Sequence, residues 1–248
     1  MHRLQRLVQN APSPQFNQYL VQVMATYPGA LEVSLRQLAG LLLKQNVEKH
    51  FASWPADAQA FIKAQALAAV GHSDRHIRRT VGSIITAIVS RVRLRGWVEL
   101  LPALSAMLDP GASEAAMDGS LQACAILCED FPDDLLSAEL GHPLNTLLPK
   151  FMLFFKHPKP TFKRLALKCC INFIIEMPPA MVAQSAAYLA GLSALTTDAD
   201  AGVRALVCNS LVALTAERMD LLMPHIAPIL AFFLHSMSDV DDRVQVRA

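Results

Sequence analysis

The chain has 248 residues, 53% of them hydrophobic and only 17% charged, a balance that excludes an intrinsically disordered protein. With 22 basic and 21 acidic residues the net charge is +1, so no long-range field marks it for nucleic acid or an anionic membrane surface. Few glycines (10) and few aromatics (6%) beside abundant Ala, Leu, Ile and Val favour helices over strands, and the length suits an elongated array better than one conventional core.

Residues 1–9 read as the tail of a helix whose partner is missing. Ser13 and Pro14 then open a helix near 14–26, with serine as N-cap and proline in the first turn. In "LRQLAGLLLKQNVEKHF", from Leu35 to Phe51, residues Leu35, Leu38, Ala39, Leu42, Leu43 and Val47 form the stripe of an amphipathic helix buried on one side. Pro55 starts the next helix, near 56–70, closed by the turn "GHSD" at 71–74. "HIRRTVGSIITAIVS" begins at His76, "WVELLPALSAML" covers 97–108, and "DPGAS" at 109–113 precedes a helix at 117–130. Pro143 opens a helix reaching about Lys156, and "HPKP" at 157–160 turns the chain into "TFKRLALKCCINFII". Pro179 opens a helix to Leu195, "TDAD" at 197–200 leads to "AGVRALVCNSLVAL", and a helix near 223–237 is followed by one that starts at Val244.

These elements repeat. The first apolar residue of every second helix serves as a marker: Leu35, Ile77, Met117, Phe162, Val203 and Val244, at intervals of 42, 40, 45, 41 and 41 residues. A period of about 40–47 residues is the signature of two-helix HEAT-type repeats. The expected fold is all-α: a HEAT-repeat α-solenoid, a superhelical stack of antiparallel helix pairs. It forms a single array over 1–248, with about five full repeats and an incomplete one at each end.

Two stretches lack any charge, Met177 to Thr197 and Leu221 to Ser238. Prolines interrupt both, and the repeat assigns each to a first helix, apolar all round because neighbours bury it on more than one side. Five cysteines, Cys124, Cys128, Cys169, Cys170 and Cys208, lie in apolar helical patterns, which reads as buried thiols in a reducing compartment. Cys124 and Cys128 are one turn apart, but no second pair has ligand spacing, so no metal is expected. There is no phosphate-cradling glycine loop, no HExxH and no GxSxG, so the chain is read as no enzyme and without cofactors. The basic runs at 156–168 and 91–97 lack interleaved exposed aromatics and read as solvated turns, not as phosphate sites.

Three features stand out within the repeats. Asn46 lies eleven residues after its marker, where Ile88, Phe173 and Leu214 stand in other repeats. That is a core position, so its amide is expected to tie one repeat to the next or to hold the loop "SWPAD". Gly40 and Gly82 share one phase and reflect either close helix packing or room for a partner's backbone. Arg36, Arg78, Lys163 and Arg204 all follow a marker, and a cation there is expected to pair with an acid in the neighbouring repeat. Asp118 breaks that basic series.

The pieces "LLLKQNVEKHF", "IRRTVGSIITAIVS", "LNTLLPKFMLFFKH" and "ERMDLLMPHI", in order and in register, resemble the N-terminal repeats of transportin-type (karyopherin-beta-2) nuclear import receptors of the importin-beta family. The resemblance runs from about residue 14 to 238. It implies an arch that binds the GTP form of the GTPase Ran as part of signal-dependent protein import into the nucleus. Nucleoporins are further partners, and cargo is held only by repeats that this chain lacks. The implied setting is cytoplasm and nucleus, with no nucleic acid and no membrane insertion. Ran contacts in the family fall on second helices of the first repeats, which points to Lys44, Arg78, Arg79, Ser83, Asp118, Glu129 and Asp130. Each also reads as an ordinary surface or ladder residue. The alternative is a generic HEAT scaffold, or a truncated receptor fragment without transport activity.

Overall fold

A computed structural model describes residues 11–25, 31–237, 239 and 241–245, so the expected helix tail at 1–9 lies outside the described residues. Among the described residues all regular structure is helical. First helices are α1 (Pro14–Ala25), α3 (Ala56–Ala68), α5 (Leu100–Ala106), α7 (Leu144–Leu153), α9 (Pro179–Leu195) and α11 (Ile226–Ser236). They alternate with second helices α2 (Val33–His50), α4 (Arg75–Val92), α6 (Glu114–Asp130), α8 (Pro160–Ile171) and α10 (Ala201–Glu217), followed by a helical turn at Asp242–Gln245. This is the alternation of HEAT-type repeats. The second helices start where their sequence signals stand. Asp74 Oδ1 accepts from the amides of His76 (2.7 Å) and Ile77 (3.3 Å), and Asp200 Oδ1 accepts from Val203 N at 2.9 Å. The weakest agreement is α5, expected over 97–108 and confined to seven residues; Pro102 sits in its first turn and a 3-10 turn at Leu94–Gly96 precedes it.

The chain divides into two compact units, Met1–Leu127 and Cys128–Ala248. In the first, α2 and α4 pack side by side, and α1 packs on both α2 and α3. Leu43, Val47, Ile62, Ile77, Ile84, Ile85 and Ile88 are fully buried there, each contributing about 1.5–3 kcal/mol of transfer free energy. Where α6 crosses the end of α3, Gly119 lies so close to the Val70 carbonyl oxygen that any Cβ would overlap it.

The register of α2 differs from the expected stripe. Its buried residues are Arg36, Ala39, Gly40, Leu43, Asn46 and Val47, while Leu35 and Leu38 are 50% and 52% exposed. The equivalents one repeat on, Ile77 and Thr80, are buried because α2 covers them. No second helix among the described residues precedes α2 to do the same for Leu35 and Leu38.

In the second unit α8 packs against α7 and α10, and Phe151, Phe162, Cys169, Cys170, Phe173, Tyr188, Val203 and Val207 fill the core. Phe154 and Phe162 stack with centroids 5.9 Å apart. The Tyr188 hydroxyl donates to Ser210 Oγ at 3.0 Å, and Ser210 Oγ donates to Leu206 O at 3.0 Å, so a fully buried phenol is satisfied. Burial pushes its ionisation far above the ordinary tyrosine range.

The two uncharged helices are less enclosed than expected. On α9 only Met181, Tyr188, Leu192 and Leu195 are buried, and on α11 only Ile229, Phe232 and Ser236; Leu234 is 68% exposed. The first of them, α9, packs on α7 and α10, and its lack of charge reflects its many Ala and Ser residues. No helix among the described residues is long and apolar enough to cross a membrane. All five cysteines are buried and none is in a disulfide among the described residues.

Candidate partner-binding face

Every second helix buries one side against its neighbours and leaves another open. On α2 the open side carries Gln37, Leu41, Lys44, Gln45 and Glu48; on α4 it carries Arg75, Arg79, Ser83, Thr86 and Ser90; on α6, Gln122 and Ile126. Lys44 Nζ lies 3.4 Å from Glu48 Oε1, an i,i+4 ion pair with both side chains well exposed, so its contribution to stability is small. Arg79 is exposed, and Ser83 Oγ donates to Arg79 O at 3.3 Å. Glu129 and Asp130 are exposed at the C-terminal end of α6, inside the second compact unit, whereas Lys44, Arg78, Arg79, Ser83 and Asp118 belong to the first.

The cations that follow the markers are largely committed inside the molecule. Arg78 Nε and Nη2 each donate to Asp118 Oδ2 at 2.7 Å, and its Nη1 donates to His72 O (2.8 Å) and Ser73 O (2.9 Å). Gln122 Nε2 donates to the same Asp118 Oδ2 at 2.7 Å. Lys163 Nζ lies 2.5 Å from Asp198 Oδ2, and Arg204 grips both oxygens of Asp239 at 2.8 and 2.7 Å. Asp118 therefore breaks the basic series because it is the acceptor for Arg78, and both residues tie repeat to repeat instead of pointing at solvent.

Arg36 meets no such acid among the described residues. Its guanidinium donates to Met24 O (3.0 and 2.7 Å) and meets His72 Nε2 at 2.7 Å, while His72 Nδ1 accepts from Asp74 N at 2.9 Å. Burial first, and the Arg36 charge second, hold the His72 imidazole below its ordinary range and keep it neutral at pH 7.

Asn46 Nδ2 donates to Asn17 Oδ1 at 2.8 Å, and Asn17 Nδ2 donates to Ala11 O (2.9 Å) and Ser13 O (2.8 Å). The tether thus runs within one helix pair, to the start of α1, and reaches neither the next repeat nor the "SWPAD" loop. That loop is held instead by Trp54 Nε1, which donates to Pro12 O at 2.9 Å. At Gly40 a Cβ would overlap the Thr80 methyl and stand 2.7 Å from Met24 Sδ. At Gly82 the nearest atom, Ile126 Cδ1, is 3.8 Å from such a Cβ. Arg75 escaped the sequence reading; its i,i+4 spacing to Arg79 was the available signal.

Each compact unit carries a groove. One, of about 540 Å³, is lined in the second unit by Ala186, Leu189, Ala190, Leu211, Pro228 and Ile229. The other, of about 550 Å³, runs in the first unit along Ala56, Ala60 and Ala64 beside Trp97, with Lys63 Nζ donating to Gly96 O at 2.8 Å. Among the described residues no group of three or more His, Cys, Asp or Glu could hold a metal ion.

Residues 3–72 match the family model of the importin-beta N-terminal domain. Transportin-1 of Mus musculus is 38% identical over 244 residues, 98% of this chain and 27% of the relative. The chain spans about a quarter of the length of the curated relatives it matches. Among solved structures, the Kap95:Nup1 complex superposes with a TM-score of 0.77 at 19% identity, over 98% of this chain and 30% of that one. A structure of Kap95p, whose binding switches the loops of RanGDP to the GTP-bound conformation, superposes at 0.78 with 18% identity, over 98% and 30%. At such identities the likeness is one of fold.

Proposed function

We propose that the chain is a member of the importin-beta family and that the open sides of its second helices dock the GTPase Ran in its GTP form, as the Ran-binding part of a transportin-like nuclear import receptor. The observation that carries this reading is the 38% identity to Transportin-1 over 98% of the chain. It is supported by the Kap95p structure involving Ran and by the polar, uncommitted side chains on α2 and α4. Lys44, Arg79 and Ser83 are the residues of the expected set available to a partner. Arg78 and Asp118 act behind them by holding α4 and α6 in register, and Glu129 and Asp130 offer carboxylates at the end of α6. Residues 1–248 are read as one HEAT-repeat array without catalytic activity, working in cytoplasm and nucleus.

A nucleoporin is the second partner proposed, on the precedent of the Kap95:Nup1 complex. The apolar groove between α9 and α11 has the size and lining to take apolar side chains of such a partner.

The test is binding of the purified chain to Ran loaded with a non-hydrolysable GTP analogue, against Ran loaded with GDP. Preference for the GTP form is expected, and Lys44→Glu, which sets two acids at i,i+4 on α2, should weaken it by roughly tenfold. A helical, monomeric chain that binds neither form would leave a HEAT scaffold without the transport role.

A further inference from the structure

The open side of α4 is a row of Arg75, Arg79, Ser83, Thr86 and Ser90, spaced three or four residues apart. Its three hydroxyls are turned back on their own helix. Ser83 Oγ donates to Arg79 O (3.3 Å), Thr86 Oγ1 to Gly82 O (3.0 Å) and Ser90 Oγ to Ala87 O (2.7 Å). Arg75 and Arg79 are exposed, and neither guanidinium has an acceptor among the described residues. Their neighbours behave differently: Arg36 is bound to carbonyls and Arg78 to Asp118, while Lys44 has an acid of its own helix, the exposed Glu48, at 3.4 Å to offset its charge. The residues at the same helical positions on either side carry no charge, Val33 and Gln37 on α2, Ala115 and Gly119 on α6. Two like charges one turn apart repel each other, so α4 keeps them at a cost to the free protein.

We propose that Arg75 and Arg79 form the anchoring pair of this face and take carboxylates from an acidic segment of the docked protein. The inference rests on the reading that this face binds a protein partner, and adds the chemistry that the partner must present. The two Cα atoms rise about 6 Å along the helix axis, and each guanidinium offers a fork of donors matched to a carboxylate. An acid two or three residues from a second acid on an extended strand, or one turn away on a helix, meets both. Nucleic acid fits less well: the row has two cations, no stacking aromatic and uncharged flanks, where phosphate backbones need many contacts.

The experiment titrates the chain with Ran in its GTP-analogue form at low and at physiological salt, using the parent, Arg75→Gln/Arg79→Gln, Arg75→Lys/Arg79→Lys and Arg91→Gln. Arg91 is an exposed cation at the other end of α4 and controls for net charge. The double Gln variant should bind roughly tenfold more weakly or worse, with a flatter salt dependence, while the Lys variant recovers part of the loss and Arg91→Gln stays within about twofold. Equal affinity of the double Gln variant and the parent overturns this proposal and leaves the Ran reading standing. A parent chain that does not bind overturns both. Unchanged helical circular dichroism establishes that the variants fold.

Discussion

A methyl group on Gly40 would collide with the side chains of Thr80 and Met24, whereas on Gly82 it would sit 3.8 Å from its nearest neighbour outside the chain segment. The two glycines share a helical phase, yet only the first is required by packing. Gly40→Ala should destabilise by roughly 1–3 kcal/mol through overpacking. Gly82→Ala should stabilise by up to about 1 kcal/mol, because alanine loses less conformational freedom in a helix. Urea unfolding of the two variants checks both signs; equal effects would show that the α2–α4 contact is not as close as described. Asn46 teaches a related lesson. Its core phase was legible from the repeat, but its acceptor, Asn17, lies 29 residues away and has no pattern that announces it.

At the scale of elements, one basic position recurs at the start of the second helices, and the sequence shows that much. The acid that answers it does not recur as simply. Asp118 lies 40 residues after Arg78, on the next second helix, while Asp198 and Asp239 lie 35 residues after Lys163 and Arg204, in the turn before it. Only the packed chain pairs them. The Arg204 guanidinium, and then the Asp241 amide, hold the Asp239 carboxyl below the usual carboxylate range. A folded value below the unfolded one of about 3.9 means that this contribution to stability is complete above that pH and drains away as pH falls through the folded value. Asp239→Asn should therefore lower the unfolding midpoint at pH 7 and flatten the acid limb of the stability curve, measured by urea melts between about pH 2.5 and 7. An acid limb identical to the parent's would remove the pair from the ladder.

Over the whole molecule, the five thiols report on packing in both compact units. Cys124 sits in the first, and Cys128, Cys169, Cys170 and Cys208 in the second; all are buried, and burial pushes the Cys170 thiol up, away from the reactive thiolate. A thiol reagent should count five sulfhydryls in denaturant and react in native buffer only as fast as the chain opens. Fast labelling of one or two thiols in native buffer would contradict the close packing of the second helices.

Helix positions, turns and the 40–45 residue period follow from local chemistry: prolines and caps at starts, apolar residues at 3.6 spacing, polar turns between. These were readable along the chain, and with them the fold class and the family resemblance. Which side of a helix is covered depends on what packs against it, and that packing is set by residues a full repeat away. Leu35 and Leu38 looked like core and are open; Arg78 pairs with an acid of the neighbouring repeat as its phase suggested, but which acid, Asp118, only the packing decides; Arg75 and Arg79, each two residues from buried Ile77, are exposed and without an acceptor among the described residues. Periodicity along one helix assigns residues to sides, but only the neighbouring helices decide which side meets solvent.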